Sequence, residues 1–132
     1  MTLVVDASCV VAALLETDIR GEWAREILLT DELVAPELIL AEVGGVLRKL
    51  DLSNGISQLE AAAAHRDLLL MDIQLFPYAP LAKRVWQLRG NITTFDAAYI
   101  SLAGSLAAPL ATLDLRLSRA APDWCQCLTP PS

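Results

Sequence analysis

The sequence predicts an α/β fold built on a parallel sheet, and three observations carry that prediction. Residues 97–113 form a run of 17 without a charge, bounded by Asp96 and Asp114. Pro109 divides the run into a helix rich in Ala and Leu, 97–107, and a short buried strand, 110–113. A buried helix feeding a buried strand is half of a βαβ unit, the connection that parallel strands require. The chain also opens on an apolar strand, 2–5, that runs through Asp6 into an apolar helix. The length of the uncharged run approaches that of a membrane span, but Pro109, Ser101, Ser105 and Thr112 argue against one.

Composition narrows the class. The 132 residues suit one domain, with a loose end at 129–132. The chain is 55% hydrophobic, with a mean hydropathy of +0.45, which is enough for a full core and for a further interface with a partner. A net charge of −6 argues against a generic basic nucleic-acid coat. Asp6 interrupts the opening apolar run, and no charged region precedes it, so no signal peptide is read there. The three cysteines are an odd number; they are expected to be reduced, in a cytoplasmic protein.

The elements follow in order. Ala7 and Ser8 turn the chain into a helix carrying Val10, Val11, Leu14 and Leu15. A second helix, 20–29, has the stripe Trp23, Ala24, Ile27 and Leu28, which is helical spacing. A brief extended piece, 33–35, precedes Pro36 and a helix over 37–49. On that helix Glu37 lies opposite the apolar stripe, whereas Glu42 flanks it, next to Leu38 and Val46. Gly44 and Gly45 weaken the helix, and close packing of another element would account for them. Residues 51–55 read as a turn. Ser57 and Glu60 then form a capping box for a helix reaching Met71, with the only histidine, His65, on its surface. A strand at 73–77 is followed by Pro80 at the first turn of a helix that stops at Gly90 and bears the basic residues Lys83, Arg84 and Arg89. Thr93 and Asp96 have capping-box spacing. Arg116 and Arg119 lie in a short amphipathic turn after Asp114, and residues 124–128 suit an edge strand. Cys125 and Cys127 without a further histidine or a CxxC do not suit structural zinc.

Each acid has a local role: Asp6 and Asp96 suit helix N-termini, Asp114 a turn, and Glu42 a salt bridge. Their positions as a set say more. Asp6 and Asp114 stand at strand exits, Asp96 at a helix start and Glu42 beside an apolar face. In open parallel sheets, chemistry collects at the carboxyl ends of the strands. An all-oxygen set suits Mg²⁺ or Mn²⁺, whose chemistry is phosphoryl transfer by activated water. No phosphate-binding glycine loop, GxSxG or HExxH motif competes. An aspartyl-phosphate phosphatase needs a second Asp two residues after the first, where this chain has Ser8.

Four segments, VVDASCVVAALL, PELILAEVGGVL, TTFDAAYISLA and PLATLDLRL, resemble the PIN-domain family, and within it the VapC-type toxins of bacterial toxin–antitoxin pairs. The resemblance covers nearly the whole chain. It implies a PIN-like three-layer α/β/α sandwich with a central parallel sheet. It implies a Mg²⁺- or Mn²⁺-dependent endoribonuclease, with Asp6, Glu42, Asp96 and Asp114 as the metal-binding acids and Ser8 and Thr112 as small polar helpers. A homodimer and a cognate antitoxin that covers the cleft are implied as well; the helices around Trp23 and Gly44/Gly45 are the expected antitoxin groove. With few basic groups to hold RNA, Arg116 and the Lys83, Arg84 and Arg89 face are the expected contacts. The alternative function is a catalytically silent PIN scaffold that binds RNA or a protein partner.

Overall fold

The computed structural model describes residues 1–30 and 32–131; Ser132, the end of the expected tail, lies outside the described residues. The elements are β1 (Thr2–Val5), α1 (Ala7–Leu15), α2 (Ile19–Thr30), β2 (Glu32–Pro36), α3 (Ile39–Leu52), α4 (Gln58–Leu70) and β3 (Ile73–Phe76), followed by a 3-10 turn (Ala79–Leu81). Then come α5 (Ala82–Gln87), α6 (Thr94–Leu106), β4 (Leu110–Ala111), α7 (Leu115–Ala120) and β5 (Cys127–Leu128).

The five strands pair in the order β3-β2-β1-β4-β5, all parallel. Val4 of β1 stands beside Val34 of β2 on one side and Leu110 of β4 on the other. Leu3, Val4 and Val5 are all fully buried, so this strand lacks apolar–polar alternation. That is the signature of a sheet covered on both faces. One group of helices, α1 to α4, packs on itself; α5 and α6 pack on each other, with α6 against β1 and β2. This is the three-layer sandwich expected from the sequence.

Several boundaries differ from expectation, each for a local reason. Helix α3 starts at Ile39, after a turn at 37–38, and runs through the expected turn to Leu52. Its stop comes at Asn54, which has a φ of 60°, a left-handed conformation that Asn tolerates. Helix α6 starts at Thr94, with Thr93 as its cap. It ends through Ala107 in the left-handed region, and the Ala108 N–H donates to the Ala103 carbonyl at 3.0 Å. The fourth strand spans Leu110–Ala111 instead of 110–113, because Thr112 and Leu113 turn their polar groups to the site described below. The fifth spans only Cys127–Leu128, since residues 122–124 form a turn. The close packing expected at Gly44 and Gly45 is not found: a Cβ at either meets nothing within 4 Å. The Ser57/Glu60 capping box is present with both bonds, and His65 is exposed. Among the described residues, no helix is long and apolar enough to cross a membrane.

Candidate active site

Strands β2, β1 and β4 are neighbours in the sheet, and each leads into an acid: Glu42 in the first turn of α3, Asp6 directly after β1, and Asp114 after β4. Their exits lie side by side. Asp96 joins them from the first turn of α6.

Asp6 is the anchor, only 4% exposed. Its Oδ1 accepts from the Cys9 N–H at 3.0 Å, capping α1, and from Ser8 Oγ at 2.7 Å. Its Oδ2 accepts from Thr112 Oγ1. Thr112 Oγ1 in turn accepts the Asp114 N–H at 2.9 Å, and Ser8 Oγ accepts the Leu113 N–H at 3.0 Å. Two hydroxyls thus lock the end of β1 to the end of β4. Asp114 caps α7 by accepting from the N–H groups of Arg116 and Leu117 at 2.9 and 3.2 Å.

The two remaining acids are held from outside this network. Tyr99, fully buried one turn along α6 from Asp96, donates its hydroxyl to Glu42 Oε1 at 2.8 Å. Arg116 lies between Asp96 and Asp114, with Nη2 3.4 Å from one carboxylate and 3.5 Å from the other. Thr93 Oγ1 accepts the Asp96 N–H at 3.3 Å; this is the capping half of the expected box, while the Asp96 carboxylate faces Arg116.

The electrostatics tie the four together. Burial pushes the Asp6 carboxyl above its ordinary value, its hydrogen bonds to Thr112, Ser8 and Cys9 oppose this, and Asp114 adds to it. Glu42 is raised by burial and then by Asp6, Asp96 and Asp114, against the Tyr99 hydrogen bond. Asp96 is raised by burial and by Asp114, against Arg116. Every acid is therefore within electrostatic reach of at least two others. Among the described residues no three acids form a ready-made metal cage. A hard divalent ion does not require one, because it keeps several waters and takes one or two carboxylates. The donor set is all oxygen, it carries an excess of negative charge, and its one bridging cation, Arg116, sits on a side chain 72% exposed. These residues fit such an ion.

The structure thus brings together Asp6, Glu42, Asp96 and Asp114 with Ser8, Thr112 and Arg116. It does not bring Arg84 there: its guanidinium lies 4.9 Å from the Trp124 ring centre, beside the later turns of α6. Arg89 lies 4.6 Å over Trp86, and Lys83 is exposed on α5. The reading from sequence missed Tyr99 as the partner of Glu42. Its spacing of three from Asp96 was the available signal, since it places both on one flank of a helix.

A family model described as PIN domain matches residues 3–122. The chain is 42% identical over 118 residues to Ribonuclease VapC1 of Mycobacterium tuberculosis, covering 89% of each. It is 34% identical over 116 residues to Ribonuclease VapC9 of the same species, covering 88% of each. Among solved structures, VapBC2 from Rickettsia felis, bound to a DNA fragment from its promoter, aligns with a TM-score of 0.70 at 16% identity, covering 99% of this chain and 100% of that one. VapC20 of M. tuberculosis, described as a sarcin-ricin loop cleaving toxin, aligns with a TM-score of 0.70 at 17% identity, covering 89% and 94%. The structural matches establish the fold. With the family match and the sequence relatives, they place this chain in the PIN domain family, among its VapC members.

Proposed function

We propose that this chain is a single-domain, Mg²⁺- or Mn²⁺-dependent endoribonuclease, the toxin of a toxin–antitoxin pair. The observation that carries the reading is the convergence of four acids on the exits of three adjacent strands and the start of α6. The named ribonucleases among its relatives support RNA as the substrate. Asp6, Glu42, Asp96 and Asp114 would hold the ion. When bound, such an ion neutralises the cluster, lowers the pKa of water and stabilises charge on the phosphate.

The chain's own residues supply the rest. Ser8 and Thr112 fix Asp6, and Tyr99 fixes Glu42, so the carboxylates are presented without reorganisation. Asp96 and Asp114, with side chains 18% and 33% exposed, are more open than the buried Asp6 and are reachable by an incoming strand. Attack by water on phosphorus forms one P–O bond and breaks the bond to the leaving ribose oxygen, which takes up a proton as the water loses one. Arg116, released from its two carboxylates, is placed to meet the phosphate.

A homodimer and a cognate antitoxin that covers the cleft complete the proposal. Exposed leucines, Leu29 on α2 and Leu59, Leu69 and Leu70 on α4, support a protein partner. A cytoplasmic location accords with the three free cysteines. Light scattering should show a dimer alone and a larger complex with the product of the neighbouring gene. The test of activity is Asp96→Asn, which keeps the Thr93 cap on its backbone N–H but loses charge. Folded Asp96→Asn should cut RNA at least a hundredfold more slowly in Mg²⁺, an effect on the order of a lost catalytic group. Equal rates would remove Asp96 from the site. A wild type without cleavage in either ion would leave the silent scaffold.

A further inference from the structure

A cavity of about 280 Å³ opens between α5, the later turns of α6 and the 122–124 turn. Leu81, Ile100 and Trp124 make its apolar wall, while Arg84, Ser101 and Asp123 bring polar groups to it. The acids of the active site do not line it. Ser101 is 6% exposed, and its Oγ is a buried polar atom without a hydrogen-bond partner. A buried hydroxyl left unpaired is a cost that native structures rarely retain without a use. Arg84 stacks on the Trp124 indole, which leaves the guanidinium edge with its N–H donors for an anion.

We propose that this cavity is a subsite for one unpaired nucleotide of the RNA, its base inside against Ile100 and Trp124 and its phosphate at Arg84. This rests on the ribonuclease reading above. The Ser101 hydroxyl and the Asp123 carboxylate meet the polar edge of the base, as splayed single-stranded bases are read elsewhere. Ser101 is five residues from Asp96 on one helix, roughly 7.5 Å along its axis and about 140° around it, so a strand that reaches both the cavity and the acids passes over α6. The charge suits it too. A chain of net charge −6 gains little from phosphates alone, so its affinity must come from base contacts that are sequence-tolerant or pocket-specific.

The experiment is titration of the full chain with each of the four ribonucleoside 5′-monophosphates, observed on the Trp124 indole N–H by NMR, with inorganic phosphate as control. Nucleotide should shift that resonance at millimolar concentration and phosphate alone should not. Arg84→Ala and Ser101→Ala should each weaken binding about tenfold. Ser101→Ala should also melt higher than wild type without nucleotide, because it removes the unpaired hydroxyl; a merely structural serine would melt lower. Asp96→Asn should bind nucleotide as wild type does. The proposal is overturned if no nucleotide shifts Trp124, if phosphate gives the same shift, or if Asp96→Asn abolishes binding, which would put the nucleotide at the acids. A wild type that binds nucleotide here but cuts no RNA keeps the subsite and sinks the nuclease reading, so the two failures are distinct.

Discussion

Thr112 is fully buried, and its hydroxyl joins β1 to the loop that carries Asp114. Thr112→Val keeps the shape and removes the hydroxyl. Asp6 Oδ2, on a residue only 4% exposed, then loses a donor, and the Asp114 N–H loses its acceptor. A hydrogen bond to a charged buried group is worth about 1.5–3 kcal/mol and a neutral one about 1, so the loss near neutral pH should be about 3 kcal/mol. At roughly 2.1 cal/mol/K per residue, that corresponds to a fall in Tm of about 11 °C for a chain of this length. The loss should also depend on pH. The Asp6 pKa is raised, chiefly by burial, so its native state holds the proton more tightly than the unfolded state does. That contribution is fully present below the unfolded value, near 3.8, and is lost as pH rises through the raised one. The Thr112 hydrogen bond opposes the raise, so Thr112→Val lifts the folded pKa further. The gap between wild type and variant should therefore be small in acid and widen as pH rises through the two folded values. Urea melts at a series of pH values, with Thr112→Ser as the control that keeps the hydroxyl, measure this. A gap below about 0.5 kcal/mol at neutral pH, the ordinary range for unremarkable positions, would refute the strut; so would one that narrows with pH.

Three further outcomes follow from the same geometry. Asp114→Asn should keep the α7 cap, since Asn caps as well as Asp, and should relieve the repulsion on Asp6, Glu42 and Asp96. In chelator it should melt at or above wild type, yet gain less from Mn²⁺ than the roughly 2.7 kcal/mol expected of wild type at 100 times its dissociation constant; a purely structural Asp114 would melt lower and leave the Mn²⁺ response unchanged. Tyr99→Phe removes the hydrogen bond that lowers the Glu42 pKa, so the acid limb of the pH–rate profile for RNA cleavage should move to higher pH; an unmoved limb would separate Tyr99 from the chemistry. Burial and then Asp6 push the Cys9 thiol up to about 12, so iodoacetamide should label Cys9 only in unfolded protein, and mass spectrometry of folded protein showing Cys9 modified would contradict its placement.

Much of this molecule is written in local patterns. Apolar strands that run into Asp6 and towards Asp114, and a charge-free helix starting near Asp96, already specify a parallel sheet with acids at its exits. Short-range rules of period, capping and proline placement decide such features, and they need only neighbouring residues. The Ser57/Glu60 box and the Asp6 cap on Cys9 are of this kind. Other features belong to the tertiary structure alone. Thr112 reaches Asp6 across 106 positions of chain and Tyr99 reaches Glu42 across 57, separations at which no periodicity speaks. The length of β4 depends on where Thr112 and Leu113 turn towards the site, and that of β5 on the turn at 122–124. The cation that bridges Asp96 and Asp114 could not be singled out among ten basic residues until the strand order set α7 beside the start of α6. The unpaired Ser101 hydroxyl looks in sequence like any small residue of an apolar helix; only the packing of α5 and Trp124 shows that its partner is missing. Helix and strand identity is set by the energetics of each segment. Which side chains meet is set by the topology that folds those segments together.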